Sequence, residues 1–268
     1  MENQPVYTHG HAETVLRSHR TRTAANSAGY LLPHLRPGLS LLDVGSGPGT
    51  ITADLADLVA PGRVTALEAS DAVLAITRAE IERRGGPAVD YVTGDVQALD
   101  LPPATFDVVH AHQVLQHVGD PVAAVREMVR VARPGGIVAA RDADYAAFTW
   151  YPANPLLDRW LALYRTAATA NGGQPDAGRR LLAWARAAGC RRVTATSSTW
   201  CYADPESRAE WAGMWAERLV GSALTDQLLG AGLATRAELE AISAAWLAWG
   251  DDPDGWFSVL HGEIVVHV

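Results

Sequence analysis

The chain has 268 residues, 48% of them hydrophobic, which is enough to bury a substantial core and lies within the range of one elaborated α/β domain. A formal charge of −8 argues against nucleic acid as substrate, because a footprint on phosphates needs clustered positive charge. All 22 basic residues are arginine, so P-loop kinases, pyridoxal-phosphate and Schiff-base enzymes, and short-chain reductases of the Tyr-x-x-x-Lys type are excluded for want of their lysine.

The opening MENQPVYTHGH lacks a basic region followed by an apolar run, and no later segment approaches the ~18 uninterrupted apolar residues of a membrane span. A cytoplasmic protein without a membrane span is therefore expected. Residues His9 to His19, then Ala24, Ala25, Ala28, Tyr30, Leu31 and Leu32, have helical spacing, and Pro33 and Pro37 close that segment. Ser40 to Val44 is a short apolar run that ends on glycines, as a buried parallel strand does, and Thr50 to Leu58 restarts as a helix.

The cycle repeats. Arg63 to Glu68 reads as a second strand and Asp71 to Arg83 as its helix, with Ser70 or Asp71 as N-cap. Val89 to Asp95 is a third strand and Phe106 to Ala111 a fourth. The helix Pro121 to Val131 follows, then a fifth strand over Gly136 to Arg141. Strands and helices alternating at this interval indicate a parallel sheet covered on both faces.

After Arg141 the composition changes, since all nine tryptophans lie between Trp150 and Trp256. Helices are predicted over Leu156 to Asn171 and Gly178 to Ala188, separated by the breaker Gly172-Gly173-Gln174-Pro175. A sixth strand is predicted over Arg192 to Cys201, helical segments over Pro205 to Trp249, and a last strand over Phe257 to Val268. The resulting division is an N-terminal helical cap (1–37), a core (38–141), a segment that completes the sheet and carries a tryptophan-rich lid (142–256), and a final strand (257–268). Cys190 and Cys201 belong to no cluster with zinc spacing and read as buried free thiols, so no metal is expected.

Gly45-x-Gly47-x-Gly49 sits between a strand and a helix, where glycine lets the backbone approach a ligand and the helix N-terminus offers free N–H groups. Such a turn serves any nucleotide-binding doubly wound fold. Three companions narrow it: Asp43 before the turn, Glu68 at the end of the second strand, and Gly94-Asp95 at the end of the third. A carboxylate at the second strand accepts both ribose hydroxyls and one at the third accepts the adenine amino group, which together describe an adenosine site. Asp43 reads equally well as a structural carboxylate bonded to turn amides. The Gly-x-Gly-x-Gly spacing differs from the Gly-x-Gly-x-x-Gly of dinucleotide folds, so a nicotinamide oxidoreductase is the weaker reading.

In order and spacing, LLDVGSGPGTIT, Glu68, Gly94-Asp95, FDVVHAHQVLQHV and ARPGGIV resemble the motifs of class I S-adenosylmethionine-dependent methyltransferases, above all the ubiquinone/menaquinone-biosynthesis type (methyltransferase type 11) and its natural-product relatives. The resemblance covers roughly residues 38 to 141, and the two ends of the chain look like a secondary-metabolic subgroup. It implies a Rossmann-like, doubly wound, seven-stranded α/β sheet, mostly parallel with the last strand antiparallel, with the helical cap and lid added. It implies S-adenosylmethionine as methyl donor and S-adenosylhomocysteine as product. Carried over, Gly45, Ser46, Gly47 and Gly49 approach the methionine part, Glu68 with Ala69 the ribose, and Asp95 with Val96 the adenine, with Asp43, His112 and Gln113 also at the cofactor. Ser46 stands where many relatives carry cysteine, without consequence for the chemistry. The N-terminal segment, Tyr7 foremost with His9 and His11, folds across the cofactor in relatives.

His112 is the candidate base or substrate contact. His110 reads as a packed strand residue, and His34 and His267 as surface residues. For the acceptor, Tyr7, His117, Asp144, Tyr145 and Trp150 are the candidate contacts, and the aromatic residues of the lid suit a flat, apolar molecule, each stacked pair adding about 0.5–1.5 kcal/mol. The expected reaction is in-line displacement of the methyl group onto O, N or C of an aromatic or polycyclic metabolite, with a base needed for a phenol, enol or indole and positioning sufficient for an amine. A cofactor-binding regulator that has lost catalysis is the alternative, and a homodimer is an admissible assembly.

Overall fold

The computed structural model describes residues 21–268. The predicted helix from His9 to His19, and the cap formed by Tyr7, His9 and His11, lie outside the described residues.

A four-residue helix α1 (Ala24–Ser27) and a 3-10 turn (Leu32–His34) lead into the sheet, so the helical run expected before Pro33 is broken into two short pieces. Strands β1 (Leu41–Val44), β2 (Val64–Glu68), β3 (Val89–Thr93), β4 (Phe106–His112) and β5 (Ala132–Ala143) are joined by helices α2 (Thr50–Val59), α3 (Asp71–Arg84) and α4 (Pro121–Val131). The strands lie parallel in the order β3-β2-β1-β4-β5. Because that order reverses between β1 and β4, their carboxyl ends diverge and leave a crevice, the usual ligand site of an open α/β sheet.

The second half completes the sheet. A three-residue strand β6 (Thr149–Tyr151), absent from the sequence reading, is followed by helices α5 (Pro155–Ala170) and α6 (Leu181–Ala187). Then come strand β7 (Val193–Tyr202), helices α7 (Pro205–Gly221), α8 (Ala223–Gly230) and α9 (Arg236–Asp251), and strand β8 (Trp256–His267). Strand β8 runs antiparallel to β5, with Arg141 opposite Glu263, and to β7, with Thr196 opposite the same Glu263. The last strand is thus antiparallel, as expected. Gly178–Arg180, expected as helix, is a 3-10 turn ahead of α6, and Ser70 caps α3 without a side-chain bond.

Three apolar clusters hold these layers. Leu31, Leu41, Leu55 and Val59 fill one face of the sheet, and Val109, Leu115, Met128 and Leu181 fill the other. The third belongs to α5, α7 and α9, where Trp160, Trp215 and Trp246 are wholly buried in edge-to-face contact, Trp160 lying 4.5 Å from Trp215 and 4.8 Å from Trp246. The helical spacing of Trp211 with Trp215 and of Trp246 with Trp249 puts both pairs in or against this cluster. Three expectations are corrected by packing. Cys201 is exposed on the edge strand β7, because its neighbours there alternate toward solvent. His34 and His267 are half-buried against each other, ring centroids 5.9 Å apart, because the 3-10 turn folds onto the end of β8.

Candidate active site

The glycine turn follows β1 directly. Gly45 has φ +71°, and a Cβ there would lie 2.4 Å from the Val114 side chain, so both the backbone conformation and the space demand glycine. Gly49, at φ +86°, is the N-cap of α2, and a Cβ there would lie 3.0 Å from the Thr77 carbonyl oxygen. The Glu68 carboxylate ties the turn down: it accepts the Gly47 amide at 2.7 Å and its own neighbour Ala69 at 3.1 Å. Burial pushes the pKa of Glu68 up, and those two amides oppose the shift.

Asp43 borders the cavity beside the turn but accepts no turn amide. One oxygen accepts the Thr52 hydroxyl at 2.6 Å and the other bonds His110 Nδ1 at 2.7 Å, so the residue fastens β1 to α2 and β4. His110 is fully buried, which agrees with its reading as a packed residue. Ser46 is buried and shares a 3.0 Å hydrogen bond with Thr77.

These residues line a cavity of about 280 Å³ at the carboxyl ends of β1 to β4. Asp43, Gly45, Ser46, Gly47, Glu68, Ala69, Asp95, Val96, His112, Gln113 and His117 all border it. Asp95 is exposed at its rim and Val96 is buried. Both ring nitrogens of His112 are buried without a hydrogen-bond partner among the described residues. Burial first, and then the positive charges of Arg22 and Arg141, hold the His112 pKa well below the usual histidine value, so the ring is neutral. Burial likewise lowers His117 to about 3.

A second cavity of about 540 Å³ adjoins the first, and Arg22 and Gln113 border both. Its walls are rich in aromatic side chains, Tyr145 and Phe148, Trp200 and Tyr202 from β7, and Trp211 and Trp215 from α7, beside Met214, and also carry polar Asn26, Thr199 and Ser207 and charged Arg218, Glu210 and Glu217. Tyr145 stacks on Tyr164 at 4.2 Å and on Phe148 at 4.4 Å. Trp200 stands where the cavities meet. The Arg141 guanidinium lies 4.9 Å from its ring centre and that of Arg22 5.3 Å, while its indole N–H donates to the Asn26 carbonyl at 2.8 Å.

Two acceptor candidates border neither cavity. Asp144 is 1% exposed and bound to Arg179 through both carboxylate oxygens, each at 2.6 Å, and it also accepts the Arg179 amide. A buried carboxylate so engaged organises the turn before α6. Trp150 stacks face to face on Phe257 at 5.5 Å because β6 pairs with β8 there. Tyr7 lies outside the described residues.

The lid aromatics were read as the clue to the acceptor, and Trp200 and Tyr202 are among those that line the second cavity; sequence reasoning missed Arg22, Met214 and His261. His261 accounts for Gln113: its Nε2 is 2.9 Å from the Gln113 amide nitrogen, across 148 residues of chain. Only the antiparallel register of β8 on β5 brings them together, and no local motif announces that register.

Comparison with known proteins agrees with this geometry. The methyltransferase domain family matches residues 42–140. An uncharacterized methyltransferase of Schizosaccharomyces pombe is 32% identical over 98% of this chain and 96% of its own length. The methyltransferase ltbC of Aspergillus luteorubrus is 30% identical over 97% and 96%. The ubiquinone/menaquinone biosynthesis C-methyltransferase UbiE of Shewanella woodyi is 36% identical over 38% of this chain and 41% of its own. Among solved structures, YcgJ of Bacillus subtilis superimposes with a TM-score of 0.56 at 14% identity, covering 89% of this chain and 97% of that one, and shows the fold. The chain belongs to the class I S-adenosylmethionine-dependent methyltransferases.

It is therefore an enzyme that moves a methyl group from S-adenosylmethionine to a small molecule, leaving S-adenosylhomocysteine. The first cavity fits that donor. At Gly47 an added Cβ would meet nothing nearer than 4.0 Å, so the backbone there is open, Glu68 retains lone pairs beyond those given to two amides, and His112 holds unpaired nitrogen in the wall. No helix of the described residues is long and apolar enough to cross a membrane.

Proposed function

We propose that the first cavity holds S-adenosylmethionine and the aromatic cavity holds a small, flat, largely apolar acceptor that is methylated on O, N or C. The observation that carries this reading is the junction of the two cavities at Arg22 and Gln113, with aromatic side chains on the far side only. In this reading Gly45, Ser46, Gly47 and Gly49 face the methionine part, Glu68 takes the ribose hydroxyls, and Asp95 with Val96 takes the adenine. Bound S-adenosylmethionine supplies a methyl carbon that is already electrophilic on its sulfonium, so the chain's own work is positioning and exclusion of water.

His112 is neutral, which suits it to accept a hydrogen bond from an acceptor hydroxyl, while its depressed pKa makes it a weak base. Helices α5 and α7 to α9 form the lid, with Trp211, Met214 and Trp215 of α7 as its inner surface. Aromatic walls favour an aromatic or polycyclic metabolite, since flat apolar ligands gain both burial and stacking there.

Purified protein with methyl-labelled S-adenosylmethionine and a panel of phenols, indoles, aryl amines, aliphatic acids and sugars tests the reading. Labelled product from flat aromatic members, and none from aliphatic acids or sugars of similar size, is the expected result. Transfer confined to the aliphatic members would overturn the aromatic assignment.

A further inference from the structure

Gln113 combines three features that no other residue here shares. It borders both cavities, it adopts φ +55°, and its side chain is tied to a buried histidine. A non-glycine residue in the left-handed region is strained by about 1 kcal/mol or more and persists only where its surroundings enforce it. Here the enforcement is visible. The Gln113 amide N–H donates to the Arg141 carbonyl at 2.7 Å, fastening the end of β4 to β5, and the side chain is held from β8.

The direction of that side chain follows from one backbone carbonyl. His261 is fully buried, and its Nδ1 lies 3.0 Å from the Val259 oxygen. A carbonyl oxygen only accepts, so Nδ1 carries the hydrogen. Burial and the nearby arginines keep the ring neutral, so Nε2 has a lone pair and no hydrogen. The group that meets Nε2 must then be a donor, which fixes the NH2 of Gln113 on His261. Gln113 Oε1 is left with no hydrogen-bond partner among the described residues, at the boundary between the cavities.

We infer that Gln113 Oε1 accepts a hydrogen bond from an O–H or N–H at the acceptor's reacting atom, and that His261 is a positioning residue that keeps the amide from flipping. The acceptor class narrows accordingly to protic heteroatoms, phenolic hydroxyls or aryl N–H groups, and away from carbon and carboxylate oxygen. A carboxylate or an already methylated ether would set lone pairs against Oε1. This inference rests on the aromatic cavity being the acceptor site.

The test is calorimetric, on the full chain saturated with S-adenosylhomocysteine, with 1-naphthol and 1-methoxynaphthalene as matched probes. Wild type is expected to bind the naphthol about tenfold more tightly than the ether, the size of one hydrogen bond to a buried acceptor. Gln113→Leu, measured at saturating S-adenosylhomocysteine, should bring the two affinities within about twofold. His261→Phe should erase the preference in the same way, and His261→Gln, whose carbonyl oxygen can hold the Gln113 NH2, should restore it. If His261→Phe does not take up S-adenosylhomocysteine, Gln113→Leu alone decides. Equal affinities in wild type, or a preference that survives Gln113→Leu, would each overturn the inference. Failure of both probes to bind would instead refute the aromatic acceptor site, and the inference with it.

Discussion

Glu68 performs two tasks through one carboxylate. Its oxygens hold the Gly47 and Ala69 amides in place, and the lone pairs that remain face the cavity where we place the ribose. Charge-assisted hydrogen bonds are worth about 1.5–3 kcal/mol each. Glu68→Ala should therefore weaken S-adenosylhomocysteine binding about 100-fold by calorimetry, and Glu68→Gln less, since an amide oxygen can still serve one of the two N–H groups. An unchanged affinity in Glu68→Ala would remove Glu68 from the cofactor site. His112 leads to a pH expectation. Its pKa is depressed, so the folded ring stays neutral well below the ordinary histidine pKa, and the linked stability is fully present above that ordinary value and is lost progressively as pH falls from there to the depressed one. The acid side of the kcat/KM profile should accordingly show no limb near pH 6.5. A limb there that disappears in His112→Gln would contradict a dry, neutral ring.

At the scale of elements, the end of β5 carries a buried carboxyl with the opposite sign. Asp142 accepts the Gln116 amide at 3.1 Å through Oδ1, its Oδ2 has no partner among the described residues, and burial raises its pKa from 3.8 to about 7. A folded-state pKa above the unfolded one means that its contribution is complete below about pH 4 and is lost as pH rises through about 7. Asp142→Asn removes that dependence. The difference in unfolding free energy between variant and wild type should shift in the variant's favour by about 2–4 kcal/mol from about pH 4 to about pH 8, measured by urea unfolding. The helices of the lid rest on Trp160, Trp215 and Trp246, all wholly buried. Trp246→Ala should cost about 3–5 kcal/mol, and Trp256→Ala, whose side chain is 40% exposed, less than about 1 kcal/mol. Comparable losses in the two would mean that the aromatic cluster is not the lid's foundation.

For the whole molecule, what the sequence disclosed tracks how local each cause is. The five parallel strands and the glycine turn were legible because a buried parallel strand is an unbroken apolar run and the turn follows it within a few residues. Glu68 and Asp95 were legible as the tips of the next two strands. The ion pair of Asp144 was not legible because its partner, Arg179, is 35 residues away. The stacking of Trp150 on Phe257 was not legible because it depends on a three-residue strand paired with the last one. The Gln113–His261 bond was invisible because the register of an antiparallel last strand is a property of the assembled sheet. The division of labour between the two cavities is tested most directly by a crystal structure of the enzyme with S-adenosylhomocysteine and 1-naphthol. The adenosine is expected between Glu68 and Asp95, with the naphthol ring among Tyr145, Trp200 and Trp211 and its hydroxyl on Gln113. Naphthol bound elsewhere, or the aromatic cavity filled by the cofactor itself, would contradict it.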